Sequence, residues 1–136
     1  MYKMLLNIPA TADSPELVFS PKKGHLTIMG NACGTNMAAF FTPILDAVKR
    51  YLRESDEGAL KIIFRMENVN SSAAKYLMIL LNTVSSYANP ARELDVRWLY
   101  PTDHDTLREL GEDLAEDIDL PVLMQSLPRE AWRKAS

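Results

Sequence analysis

The sequence predicts an α/β domain built on a central mixed sheet, with a β-hairpin at its N-terminal end and about three helices covering the sheet. Three observations carry this. Apolar residues alternate with polar ones in short runs separated by turn residues near the start of the chain. Further on, apolar residues recur at helical spacing in three separate segments. Strand-like and helix-like segments then alternate, the pattern of crossover units over a partly parallel sheet.

The elements follow in order. Met4, Leu5, Leu6 and Ile8 suggest a short first strand or an extended arm, and Thr11 to Pro15 is rich in turn residues. Glu16-Leu17-Val18-Phe19-Ser20 reads as a strand. Pro21-Lys22-Lys23-Gly24 is a hairpin-type turn, and His25-Leu26-Thr27-Ile28-Met29-Gly30 alternates as the returning strand. After a loop over Asn31 to Thr35, Met37, Phe41, Ile44, Val48 and Leu52 recur on one helical face. Pro43 either kinks this helix or starts it, with Thr42 as its cap. Leu60 to Met66 forms the next strand, and a second helix runs from about Ser71 to Tyr87, ended by Asn89-Pro90. Leu94 to Tyr100 alternates as a third major strand, with Trp98 and Tyr100 on one face and Leu99 on the other. Thr106 to about Asp117 reads as a third helix, buried through Leu107, Leu110 and Leu114. Gly111 within it permits either close packing or a bend. Pro121-Val122-Leu123-Met124 reads as a short extended segment. Residues 1–128 thus make one domain and 129–136 a C-terminal tail.

Composition bounds the function. The chain has 136 residues, 47% of them hydrophobic and 24% charged, ordinary values for a globular domain with one core. A net charge of −3 argues against nucleic acid as a partner. No apolar run reaches the roughly 18 residues of a membrane span. The start, Met1-Tyr2-Lys3-Met4-Leu5-Leu6, is too short and too soon polar for a secretory signal. A single cysteine, Cys33, excludes an internal disulfide and fits a reducing cytoplasm. The two histidines and Cys33 show no metal-ligand spacing, so no metal and no cofactor is expected. The acidic residues between Asp103 and Asp119 read as a solvated helix face. No phosphate-binding loop, nucleophile elbow or kinase signature is present.

The informative segment is Asn70-Ser71-Ser72-Ala73-Ala74-Lys75, where a strand feeds a helix. Free backbone N–H groups and the helix dipole favour negative charge there, so a phosphoryl group on Ser71 is well tolerated. At ~100° per residue, Ala73, Leu77, Leu80, Leu81 and Val84 face the sheet. Ser71, Lys75, Met78, Asn82 and Ser86 fall near the opposite side, with Ile79 beside them. That strip of apolar Met78 and Ile79 among small polar groups has the composition of a docking surface. A phosphate would place about −1.5 to −2 charge at its end. The plainer alternative is that Asn70 or Ser71 simply caps the helix. A catalytic role for Ser71 as nucleophile lacks a local base or orienting acid.

The chain resembles the SiaC family of bacterial regulatory phosphoproteins over roughly residues 5 to 125. The resemblance lies in an ordered series of motifs. Thr11-Ala12-Asp13-Ser14-Pro15 precedes the apolar strand Glu16 to Phe19, and Lys23-Gly24 and Gly30 follow. Phe40-Phe41-Thr42-Pro43-Ile44-Leu45 matches an aromatic pair followed by Pro-Ile-Leu. Asn70-Ser71-Ser72 with Lys75 matches the central Asn-Thr-Ser-Ser motif, and Trp98-Leu99-Tyr100 and Gly111 to Glu116 also fit. The family implies a fold similar to STAS domains and a non-enzymatic partner switch. Its phosphosite is the Thr of the central motif, placed here at Ser71. A serine/threonine kinase modifies that site and a metal-dependent serine/threonine phosphatase restores it. The unmodified form activates a diguanylate cyclase, which makes cyclic di-GMP. A STAS-type antagonist acting on an anti-sigma factor shares the same switch logic with a different partner. Two departures bear on partner choice. Ala32-Cys33-Gly34-Thr35-Asn36 replaces the family's Ser-Tyr-Pro-Glu-Asn before the first helix, and Ala73 stands where the second Ser of the motif is common.

Overall fold

A computed structural model describes residues 5–55 and 57–134. The start of the expected first strand and the last two residues of the expected tail lie outside the described residues. Six strands form one sheet in the order of the sequence: β1 (Leu6–Ile8), β2 (Glu16–Ser20), β3 (His25–Ala32), β4 (Leu60–Val69), β5 (Leu94–Pro101) and β6 (Val122–Leu127). β1, β2 and β3 pair antiparallel, and β3 through β6 pair parallel. The sheet is therefore mixed, with the expected hairpin at β2–β3.

The helices are α1 (Met37–Glu54), α2 (Ser71–Ser86), α3 (Asp105–Glu116) and α4 (Arg129–Lys134). The first three are crossovers between neighbouring parallel strands. Three crossovers of one hand, each stepping the same way along the sheet, place their helices on one face. The core lies between that face and the helices. Leu60, Ile62, Phe64 and Met66 of β4 point into it, as do Leu26 and Ile28 of β3 and Leu17 and Phe19 of β2. The helical stripes answer them: Met37, Phe41, Ile44, Val48 and Leu52 from α1, and Ala73, Leu77, Leu80, Leu81 and Val84 from α2, are all buried.

Pro43 neither starts α1 nor ends it. The helix begins six residues earlier, where the Asn36 side chain accepts from the Ala39 N–H at 3.2 Å. Proline removes one backbone donor, and the five buried side chains of the stripe outweigh that loss. Gly111 serves close packing. A Cβ there would lie 2.4 Å from Cδ1 of Trp98, whose indole N–H donates to the Leu107 carbonyl at 2.9 Å. Trp98 is buried and Tyr100 half-buried.

Two expectations near the C-terminus are corrected. The short extended segment is a full edge strand, with Val122 through Leu127 paired to Val96 through Pro101. The expected tail folds as α4 and buries Trp132. Trp132 lies over Arg65 of β4, whose guanidinium carbon is 4.4 Å from the ring centroid and which donates to the Trp132 carbonyl. Apolar and cationic surface on the helix-free face of β4 thus finds cover that periodicity in a six-residue segment does not reveal.

Candidate functional site

The candidate site lies at the C-terminal edge of the parallel strands, where β4 turns into α2. β3 and β4 stay paired up to this turn, past a register shift between Gly30 and Ala32, and Ala32 pairs with Val69. The Asn68 amide donates to Asn31 Oδ1 at 2.7 Å and the Asn70 N–H donates to the Ala32 carbonyl at 3.0 Å. The last strand residues are fixed before the helix begins.

Asn70 is the cap. Its Oδ1 accepts the Ala73 N–H at 2.8 Å, and its carbonyl accepts the Ala74 N–H at 2.9 Å. Its Nδ2 donates in the other direction, to the Gly34 carbonyl at 3.0 Å. One side chain satisfies an orphan donor of α2 and holds the loop before α1. That loop is held from its far side as well, by the Cys33 N–H donating to the Asp13 carbonyl at 3.0 Å. Gly34 is packed beneath Asp13, where a Cβ would meet the carboxylate at 3.3 Å and the Met37 methyl at 3.1 Å.

With Asn70 as cap, Ser71 occupies the first helical position and Ser72 the second. Both are exposed. Among the described residues no hydrogen bond joins either hydroxyl to an acid, a base or any other group. The hydroxyls stand beside the positive end of a 16-residue helix dipole. Lys75, one turn on from Ser71, is exposed, with its Nζ 5.9 Å from the Tyr76 ring centroid. Tyr76 stacks on Phe41 at 5.8 Å, and Phe41 meets Phe40 edge-on at 5.0 Å. This aromatic cluster ties α2 to α1 next to the Ser71 turn. Reading single helices missed it, because it forms only when two helices pack.

The other expected site residues divide. Asn82 is exposed. Met78 and Ile79 are half-buried rather than open, and Met78 packs against the core. The apolar stripe of α2 is wider than the five residues facing the sheet, so the strip from Ser71 to Asn82 is mainly polar at its surface.

Among the described residues no group of three or more His, Cys, Asp or Glu is placed to hold a metal ion. The cavity nearest the turn, about 190 Å³, is lined by Cys33, Asn68, Val69, His104 and Leu110 among others. It is smaller than the several hundred Å³ typical of small-molecule sites. The arrangement presents two hydroxyls on a rigid turn, neither hydrogen-bonded to a base among the described residues.

The family model for the SiaC family regulatory phosphoprotein matches residues 8–127. The chain belongs to the SiaC family of regulatory phosphoproteins. A curated relative, an uncharacterized protein of Pseudomonas aeruginosa (strain UCBPP-PA14), is 26% identical over 121 residues, which is 89% of this chain and 95% of the relative. Apo-SiaC from Pseudomonas aeruginosa superposes with a TM-score of 0.82 at 27% identity, over 90% of this chain and 99% of the other. A further match is the structure of the diguanylate cyclase SiaD in complex with its activator SiaC from the same organism. It has a TM-score of 0.83 and 26% identity, over 90% of this chain and 99% of the matched chain. The SiaC fold and the exposed Ser71 turn therefore occur together in this chain. No helix among the described residues is long and apolar enough to cross a membrane.

Proposed function

We propose that this protein is a non-enzymatic cytoplasmic signalling switch in which reversible phosphorylation of Ser71 controls binding to an effector, a diguanylate cyclase. A serine/threonine kinase adds the phosphoryl group and a metal-dependent serine/threonine phosphatase removes it. The unmodified form holds the cyclase. The observation that carries this reading is the position of Ser71. Asn70 performs the capping, so the Ser71 hydroxyl is exposed and uncommitted at the first helical position, in a chain of the regulatory phosphoprotein family. The SiaC–SiaD complex supports the choice of effector.

The physical basis is local. A phosphate adds about −1.5 to −2 charge beside the free N–H groups of the helix start, where the fold tolerates it. The same charge changes the surface formed by Ser72, Lys75 and Asn82, with Met78 and Ile79 beneath, on which we place the partner contact.

Affinity capture from the native cell with Ser71→Ala and Ser71→Asp baits tests the reading. A cyclase retained by Ser71→Ala and lost by Ser71→Asp is expected. The same partners on both baits would reduce Ser71 to an ordinary helix residue.

A further inference from the structure

Asn70 does two jobs with one planar amide, and a phosphate on Ser71 sets them against each other. In the unmodified protein Oδ1 accepts from the Ala73 N–H at 2.8 Å and Nδ2 donates to the Gly34 carbonyl at 3.0 Å. The donated bond crosses from the start of α2 to the loop before α1. Among the described residues it is the side-chain bond that ties Gly34 to the Ser71 turn. The loop has little slack, since Gly34 is buried and enclosed by Asp13 and Met37, while Cys33, Thr35 and Asn36 on either side are exposed. Asn36 in turn caps α1.

We infer that Asn70 is the relay of the switch: phosphorylation of Ser71 draws its Nδ2 away from the Gly34 carbonyl and so releases the loop over Cys33–Asn36. This rests on the reading of Ser71 as the phosphosite. A phosphate at the first helical position brings three acceptor oxygens next to the Asn70 side chain and to the N–H that Oδ1 occupies. Two acceptors then compete for the Ala73 N–H, and the charged one wins it. Oδ1 is repelled by the same charge, while Nδ2, a donor, is attracted to it. Turning the amide exchanges a neutral N–H···O=C bond for a charge-assisted one, which is roughly twice as strong. The Gly34 carbonyl loses its partner and turns to water. The modification is thereby reported on a second surface, the exposed loop before α1, and any partner touching that loop senses the state of Ser71 without touching the phosphate. Aspartate at position 70 would still cap α2, because its carboxylate accepts from Ala73 N–H. It has no donor for Gly34, so it separates the relay from the cap.

The test compares isotope-labelled protein carrying serine or genetically encoded phosphoserine at position 71, each with Asn70 or with Asn70→Asp. The readouts are the Gly34 carbonyl carbon, the Thr35 amide and the Asn70 side-chain NH₂ resonances. Phosphoserine is expected to move all three in the Asn70 protein. In Asn70→Asp, Gly34 and Thr35 should already sit at the shifted position and move on modification no more than a remote residue such as Gly58. If Asn70→Asp does not fold, Asn70→Gly, which is tolerated at a helix cap and has no side-chain donor, makes the same comparison. A Gly34 carbonyl that ignores phosphoserine, or moves equally with Asp or Gly at position 70, overturns the relay. Because the phosphoserine is installed without a kinase, the relay and the switch fail separately. An unmoved Gly34 with cyclase capture that still distinguishes the Ser71 baits removes only the relay. A moved Gly34 with equal capture on both baits overturns the functional reading on which the relay rests.

Discussion

Asparagine at position 70 combines an acceptor and a donor 1 residue before Ser71, a pairing that an ionised aspartate lacks. The sequence left Asn70 and Ser71 as competing caps, because both residue types favour that position. Tertiary structure decides between them, since only Asn70 reaches Gly34, 36 residues away. Ser71 is released by that choice. A second residue-scale feature lies at the other end of β4. The Tyr51 hydroxyl donates to the Ala59 carbonyl at 2.6 Å. Burial holds its pKa above the ordinary 10.0, with the Arg92 guanidinium pulling part of the way back. A phenol whose folded pKa is raised contributes stability that is fully present below its unfolded pKa and is lost as pH rises through the folded value. Denaturation midpoints should therefore fall from about pH 10 upward, and Tyr51→Phe should flatten that alkaline limb. An unchanged limb in Tyr51→Phe would assign the loss to another group.

Among the elements, the helix faces were the most legible. The buried residues of α2 are the five that its periodicity named, because a 16-residue helix repeats its stripe often enough to be read. The start of α1 was less legible, since a proline seven positions inside a helix looks like a boundary until the packing of the preceding Met37 and Phe41 is known. The half-burial of Met78 was illegible for the same reason: neighbouring surface determines it. Gly111 shows the limit most sharply. Its residue type fits a bend or a close contact equally, and only the Trp98 ring 2.4 Å from its Cβ position decides. Gly111→Ala should gain about 1 kcal/mol of helix propensity and lose about 1–3 kcal/mol to overpacking. The net expectation is a lower denaturant midpoint at unchanged slope. A stabilised variant would mean that α3 moves away from the indole at little cost.

The whole molecule is a sheet with helices α1 to α3 on one face and the short α4 on part of the other. Val18, Thr27, Ile63 and Arg97 lie in one row across that second face, continuing to the exposed Leu123. Trp132 covers Arg65 there, so α4 belongs to the fold, and Trp132→Ala should destabilise it by about 3 kcal/mol. Retention of the full denaturant midpoint would show that α4 is dispensable. The mixed pairing followed from the hairpin and the alternation of elements, while α4 could not, because its burial depends on a strand 67 residues away. The Ser71 turn depends on the whole arrangement: three crossover helices begin at one edge, capped by Asn36, Asn70 and His104. The most direct test of its role is a binding titration of the native diguanylate cyclase with purified protein bearing serine or phosphoserine at position 71. The account predicts saturable binding by the serine form and at least a tenfold weaker Kd, about 1.4 kcal/mol, for the phosphoserine form. Equal Kd values for the two forms would contradict it.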